Sequence, residues 1–172
     1  MPEIAAPRGE VAALVVVQST LADRPGVLAA ALALSRFGEH SIGWLLVAGV
    51  GAVVQPRRLR AWLLAGVGAV VAHAVAVLIK RVVRRPRPEH PAVAVNVGTP
   101  SALSFPSAHA TSTTAATMLL APLTGLPLPA LVVPPMGLSR LVLGVHYPSD
   151  VLTGVVVGAG VARLVKAIGG TR

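Results

Sequence analysis

Long apolar runs alternate with short basic or proline-rich stretches along this chain. Residues 61–79 form an uncharged run of 19 residues in which His73 is the one strongly polar position. A bilayer core ~30 Å thick is spanned by about 20 helical residues, so this run is long enough. Residues 41–54 form a shorter run, which needs residues 38–42 or a thinner local bilayer to cross. Three later runs are also predicted to be helices: 107–120, 130–145 and 151–168.

The N-terminal part follows a different pattern. Residues 1–10 are rich in Pro, Gly and charge, and we expect them to be irregular. Residues 11–36 hold two apolar patches, each too short to span, which predict short helices at the interface or packed on the bundle. No secretory signal peptide is recognisable. We therefore expect one membrane domain over residues 1–172, with N-terminal helices in residues 1–40 and a helical core in residues 41–168.

Composition and charge narrow the class of protein. Apolar residues make up 54% of the chain and charged residues 12%, whereas soluble domains have about 25% charged residues. This balance favours a small helical membrane protein, although Ala and Val also build soluble cores. The absence of cysteine excludes disulfides and thiolate metal sites. A net charge of +9 attracts anions, and with only 3% aromatic residues we expect lipid headgroups or phosphates rather than nucleic acid as partners.

Three polar stretches interrupt this apolar chain: KRVVRRPRP at residues 80–88, FPSAHATSTT at residues 105–114 and SRLVLGVHYPSD at residues 139–150. If every apolar run crosses the membrane, all three stretches lie at one membrane face. The turns at residues 55–60 and 121–129 then lie at the other face. The pattern therefore predicts one composite site, assembled from three distant parts of the chain.

The residue types in these stretches suit a phosphoryl group. Lys80, Arg87 and Arg140 are cations, and cations fixed around phosphoryl oxygens are the main requirement of phosphoryl transfer. Ser107 follows a proline at a predicted helix start, where free N–H groups favour anions. His109 lies in the first turn of that helix, where it is placed to protonate a leaving oxygen.

His146 and Asp150 form the second half of this chemistry. A carboxylate four residues after an imidazole orients the ring and favours its charged form. His146 is therefore a credible nucleophile, which would form a phosphohistidine intermediate.

The three stretches resemble the three signatures of the type 2 phosphatidic acid phosphatase family. That pattern is Lys, six residues, Arg-Pro; then Pro-Ser-Gly-His; then Ser-Arg, five residues, His, three residues, Asp. The matching residues are Lys80 with Arg87-Pro88, the PSAH of residues 106–109, and Ser139-Arg140 with His146 and Asp150. Ala108 occupies the position at which the family has glycine, and this replacement removes no catalytic group. The order and spacing of three motifs make the signal specific.

The resemblance implies a polytopic bundle of about five to six helices that acts as a metal-independent, cofactor-free phosphatase of membrane lipids. It implies that His146 is the nucleophile, His109 the general acid and Asp150 the residue that orients His146. The phosphate would be bound by Lys80, Arg87, Ser107, Ala108 and Arg140. We expect a multi-pass protein of the cell membrane and a prenyl-phosphate-type lipid as substrate.

Polar residues outside the three signatures have two interpretations each. Glu39 and His40 are candidate headgroup contacts or simply mark the membrane interface. His73 is expected to be a neutral histidine bonded between helices, although ionisable residues inside a membrane are often functional. The hydroxyls of Thr111–Thr114 are expected to bond back to their helix or across to another helix. Three arginines are expected to anchor a helix end at anionic headgroups: Arg81, Arg84 and Arg85.

Other functions remain open from the sequence. Prenyl diphosphates, phosphatidate and phosphatidylglycerophosphate require the same catalytic groups and differ in the pocket that surrounds them. Vanadium haloperoxidases use the same cage for vanadate, but they are larger and soluble. A non-enzymatic lipid binder or small transporter would not need His146 paired with Asp150. Basic residues are balanced between the two faces, so neither the side of the site nor the oligomeric state follows from the sequence.

Overall fold

A computed structural model describes residues 6–169, so part of the predicted irregular N-terminus, residues 1–5, lies outside the described residues. Over the described part the chain is all-α, as the sequence predicts. The seven α-helices are α1 (Gly9–Leu21), α2 (Val27–Gly38), α3 (Ile42–Val54), α4 (Leu59–Val83), α5 (Ala108–Thr124), α6 (Leu128–Val142) and α7 (Pro148–Gly169).

Within residues 6–169, three segments are long and apolar enough to cross a membrane: Val27–Val54, Pro56–Val83 and Pro148–Gly169. The last two correspond to predicted spans. The first is longer than predicted, because the apolar segment includes α2 as well as α3. The predicted turn at residues 121–129 is also shorter, since α5 continues through Pro122 to Thr124 and a left-handed Gly125 ends it.

A sharp kink separates α2 from α3. Glu39–Ser41 form a short 3-10 turn in which His40 has φ 47° and Ser41 has φ 63°. Residues other than glycine rarely adopt this left-handed conformation, which costs about 1–3 kcal/mol per residue and persists only where neighbouring structure imposes it. The Ser41 hydroxyl, which donates to the Ala69 carbonyl of α4 at 3.3 Å, helps to hold the kink.

Helix α5 is the centre of the bundle and packs against α4, α6 and α7. Three buried hydroxyl groups of α5 donate to carbonyls one turn earlier: Thr111 to Ser107 at 2.8 Å, Thr114 to Ala110 at 2.8 Å and Thr117 to Thr113 at 2.7 Å. The first two bonds agree with the prediction for Thr111–Thr114. These bonds satisfy the polar side chains locally, so an uncharged polar helix can occupy the core.

The helix ends place the three polar stretches together. Helix α4 ends, α5 begins and α6 turns into α7 at the same end of the bundle, where the Ser107 N–H donates to the Asp150 carbonyl at 2.9 Å. The loop between α4 and α5 covers this end. Gln18 of α1 connects that loop to α6. Its side-chain amide donates to the Ala94 carbonyl of the loop at 2.7 Å and to the Val142 carbonyl of α6 at 3.0 Å.

Candidate active site

A cavity of about 470 Å³ lies at this end of the bundle. Eight of the ten predicted site residues line it: Glu39, His40, Lys80, Arg87, Ala108, His109, Arg140 and His146. The other two, Ser107 and Asp150, are fully buried behind the cavity wall. The fold therefore brings all three polar stretches to one place.

Lys80 and Arg87 are held by backbone carbonyls. The Lys80 ammonium donates to the Leu103 carbonyl at 3.0 Å and to the Ser104 carbonyl at 2.8 Å. Arg87 donates through Nε to the Ser101 carbonyl at 2.8 Å and through Nη1 to the Val145 carbonyl at 2.6 Å. Carbonyl partners orient both side chains without neutralising them. Burial lowers the pKa of Arg87, although the negative charges of Asp150 and Glu39 act to raise it.

Arg140 is the most deeply buried of the three cations, with 2% of its surface exposed. Its Nη1 donates to the Ser35 hydroxyl at 2.7 Å, and its buried Nε has no hydrogen-bond partner. Among the ion pairs of residues 6–169, none involves Lys80, Arg87 or Arg140. Three cations thus surround the cavity without a carboxylate partner, an arrangement that favours a multiply charged anion.

His146 lies among these cations, between Arg87 and Asp150. Its Nε2 is 3.4 Å from Arg87 Nη1, while its Nδ1 is 3.5 Å from Asp150 Oδ2, an ion-pair distance without hydrogen-bond geometry. Burial, followed by the charges of Arg140, Arg87 and Lys80, holds the pKa of His146 well below 6.5. The imidazole is therefore neutral at physiological pH, and a neutral ring is the nucleophilic form.

His109 lies in the first turn of α5, where that turn meets the kink between α2 and α3. Its Nε2 is 2.9 Å from the Ser35 carbonyl and 3.8 Å from Glu39 Oε2. A hydrogen on Nε2 is therefore donated to Ser35, which leaves Nδ1 for a ligand. Ser107 caps the helix instead of facing the cavity, because its hydroxyl accepts from the Ala110 N–H at 3.4 Å.

Sequence reasoning missed the role of Arg85. The expectation that it anchors a helix end at lipid headgroups is wrong, because Arg85 binds Asp150 Oδ1 at 3.0 Å and Glu10 Oε2 at 2.6 Å. Its guanidinium also lies 3.9 Å above the centre of the Tyr147 ring. Asp150 Oδ2 accepts from the Tyr147 N–H at 2.8 Å, so its carboxylate is fixed on both sides.

His73 also differs from its prediction. Its Nδ1 is buried without a hydrogen-bond partner, and the side chain lines the cavity. The expected bond between helices is therefore not made through this nitrogen. Ser35 is a residue that the sequence did not single out, although it contacts both Arg140 and His109. No short motif contains Ser35, so pattern reading could not find it.

Known proteins are similar to this chain in sequence. Residues 61–172 match the sequence profile of the PAP2 superfamily. The decaprenylphosphoryl-5-phosphoribose phosphatase of Mycobacterium tuberculosis is 68% identical over 167 residues, which cover 97% of this chain and 94% of that protein. The protein of that name from Mycolicibacterium smegmatis is 70% identical over 149 residues, which cover 87% and 83%.

A solved structure shares the fold. The transmembrane PAP2-type phosphatidylglycerolphosphate phosphatase of Bacillus subtilis superposes with a TM-score of 0.71, covering 91% of this chain and 84% of that chain. Its sequence identity is 21%, so the likeness concerns the fold alone.

Proposed function

The chain belongs to the PAP2 superfamily, and we propose that it is an integral membrane phosphatase that hydrolyses decaprenylphosphoryl-5-phosphoribose. The products are decaprenylphosphoryl-ribose and phosphate, which assigns the enzyme to the synthesis of arabinan precursors for the cell wall. The two mycobacterial relatives, with their high identity and coverage, support this substrate. The enzyme is expected in the cell membrane.

The observation that carries the proposal is the cation-lined cavity around His146. Lys80, Arg87 and Arg140 have no carboxylate partner among the described residues, so a phosphate dianion supplies the charge that they lack. Donors that are fixed before the substrate arrives stabilise the transition state without reorganisation. The backbone N–H groups at the start of α5, beside Ala108, add a further anion-binding element, and Ser107 contributes by capping that turn.

The first chemical step forms a phosphohistidine. Arg87 Nη1 approaches His146 Nε2 as a donor, so this nitrogen carries the lone pair and the hydrogen lies on Nδ1, which is 3.5 Å from Asp150 Oδ2. Nε2 attacks phosphorus while the bond between phosphorus and the ribose 5-oxygen breaks. Burial and the charge of Arg140 lower the pKa of His109 to about 3, so His109 gains its proton only beside the bound phosphate dianion. It then transfers that proton to the ribose oxygen, and Asp150 stabilises the positive charge that develops on His146.

The second step releases phosphate. His109, now neutral, accepts a proton from a water molecule, which attacks the phosphorus of the phosphohistidine. The bond between phosphorus and Nε2 breaks, and His146 returns to its neutral form as phosphate leaves. All charge stabilisation in both steps comes from side chains and backbone of the chain, so the proposed reaction needs no metal ion.

The test is phosphate release by the purified protein in detergent with EDTA present. The substrates are decaprenylphosphoryl-5-phosphoribose, prenyl diphosphate and phosphatidate, each also tested with His146→Ala. We expect preference for the ribose lipid and complete loss in the variant. Preference for another lipid would keep the chemistry and refute the substrate. Release that is unaffected by His146→Ala, or abolished by EDTA, would refute the mechanism.

A further inference from the structure

The cavity continues beyond the phosphate-binding cations, deeper into the bundle. His73 and Lys80 line it from the same face of α4, two helical turns apart, which is roughly 10 Å along the axis. A phosphoryl group bound at Lys80 does not reach His73. This deeper part of the cavity therefore has room for the group that carries the phosphate.

Three ionisable side chains line this part of the cavity: His73 inside the bundle, and Glu39 and His40 at the mouth, where their side chains are 38% and 59% exposed. The His40 ring centre lies 5.6 Å from that of His73, and Glu39 reaches within 3.8 Å of His109 Nε2. The strained kink turns Glu39 and His40 toward the cavity, since both line it. His73 Nδ1 is buried without a protein partner. Buried polar atoms are almost always hydrogen-bonded in native proteins, so this nitrogen points to a ligand.

The position of His109 determines which part of the substrate lies here. His109 must contact the leaving oxygen, so the atoms attached to that oxygen lie next to His109 and Glu39. We propose that Glu39, His40 and His73 form a subsite that binds the hydroxyl groups of the sugar leaving group. A carboxylate accepts hydrogen bonds from two hydroxyls, and a neutral imidazole both donates and accepts. This inference rests on the proposed function and deepens it.

The subsite explains selectivity for a phosphorylated sugar. A leaving group without hydroxyls would leave the buried Nδ1 of His73 unpaired, and sites built to hydrogen-bond a substrate strongly reject analogues that lack the partner. We expect the ratio of kcat/KM for decaprenylphosphoryl-5-phosphoribose to that for decaprenyl phosphate to be high in the wild type. Loss of one such hydrogen bond lowers that ratio about tenfold.

The experiment measures this selectivity ratio for Glu39→Gln and His73→Phe. A fall of about tenfold in either variant supports the subsite, and His73→Asn, which keeps a hydrogen-bonding side chain, should recover part of the ratio. Leu78→Ala is the matched control, because Leu78 is exposed on another face of α4. An unchanged ratio in both variants would overturn the inference. Failure of the wild type to prefer the ribose lipid would instead refute the proposed substrate.

A second, independent observation concerns the carboxylate behind His146. Glu10 of α1 binds Arg85 Nη2 through Oε2 at 2.6 Å and the Ser149 N–H through Oε1 at 2.8 Å. Arg85 Nη1 binds the Ser149 hydroxyl at 2.7 Å and Asp150 Oδ1 at 3.0 Å. The contacts thus run without interruption from the N-terminal helix to the residue that orients the nucleophile.

Glu10 and Arg85 are both charged at neutral pH. Burial raises the pKa of Glu10, but the hydrogen bonds from Arg85 and Ser149 outweigh it, and the resulting pKa lies below 4.5. Burial lowers the pKa of Arg85, but Glu10 and Asp150 outweigh it, and the resulting pKa is raised.

We infer that Glu10 and Arg85 are positioning residues for Asp150, and through it for His146. Arg85 holds one carboxylate oxygen while Glu10 holds Arg85, so the other oxygen stays directed at His146. Removing either residue allows the carboxylate to turn, which misplaces the imidazole but leaves the phosphate-binding cations in place. The rate of the chemical step should therefore fall more than the affinity for the substrate.

The test compares Arg85→Met, Glu10→Gln and the double variant in a double-mutant cycle. We expect kcat to fall roughly tenfold in each single variant with KM within twofold, and the double variant to be no worse than Arg85→Met. Arg85→Lys should recover part of kcat, and Arg84→Asn, at an exposed neighbouring position, is the control. Additive losses, or a rise in KM with kcat unchanged, would overturn the positioning role.

Discussion

Replacement of Arg140 by methionine should inactivate this protein with little change in its stability. Arg140 is 2% exposed, has no carboxylate partner among residues 6–169, and keeps its Nε without a hydrogen bond. A buried charge in this state opposes folding, because desolvation is not offset by an opposite charge. Methionine has a similar length and no charge, so it fills the same space.

The magnitude follows from two opposing terms. Replacing buried charged groups by well-packed apolar residues often stabilises a protein by about 1–4 kcal/mol. Losing the bond from the charged Arg140 to the Ser35 hydroxyl at 2.7 Å costs about 1.5–3 kcal/mol, because the donor is charged. The two terms nearly cancel, so we expect the free energy of unfolding to change by no more than about 2 kcal/mol. Loss of one charged donor to the transition state should lower kcat by about 10²- to 10³-fold.

The assay is unfolding in detergent with and without vanadate, a phosphate analogue. Wild type should gain about 2.7 kcal/mol at a vanadate concentration of 100 Kd, whereas Arg140→Met should gain much less at the same concentration. Arg163→Met, an exposed position in the second half of α7, is the control and should change neither property. An Arg140→Met protein that is less stable than wild type by more than about 3 kcal/mol would refute the reasoning, because the lost bond to Ser35 costs no more than that.

Two further predictions concern pH and packing. Burial and the surrounding cations hold the pKa of His146 well below 6.5. The acid limb of the pH profile of kcat/KM that belongs to His146 should therefore lie well below pH 6.5. An acid limb of His146 at or above pH 6.5 would contradict the site electrostatics. Gly158→Ala should destabilise the fold by about 1–3 kcal/mol, because the added methyl would meet the Thr111 carbonyl and the Thr114 Cβ. Gly160→Ala, which faces open space on the same helix, should be neutral or slightly stabilising in the same thermal unfolding measurement.

Apolar run lengths predicted the helices of the core well, because a spanning helix is a local property of about 20 consecutive residues. Helix α4 covers the predicted run at residues 61–79, and α7 covers the run at residues 151–168. The first crossing was less predictable. The kink at Glu39–Ser41 depends on contacts with α4, and no local sequence signal marks two left-handed residues that are not glycine.

Motif spacing and the alternation of membrane crossings are enough to predict that Lys80, Arg87, Arg140 and His146 lie at one end of the bundle. The partner of each polar side chain follows from the tertiary structure alone. Arg85 is as basic as its neighbours, yet it alone among Arg81, Arg84 and Arg85 makes an ion pair within the described residues. Glu10, the partner of Arg85, is 75 positions away in the sequence and is brought to it by helix packing. A short stretch of sequence does not predict which distant residues helix packing brings together.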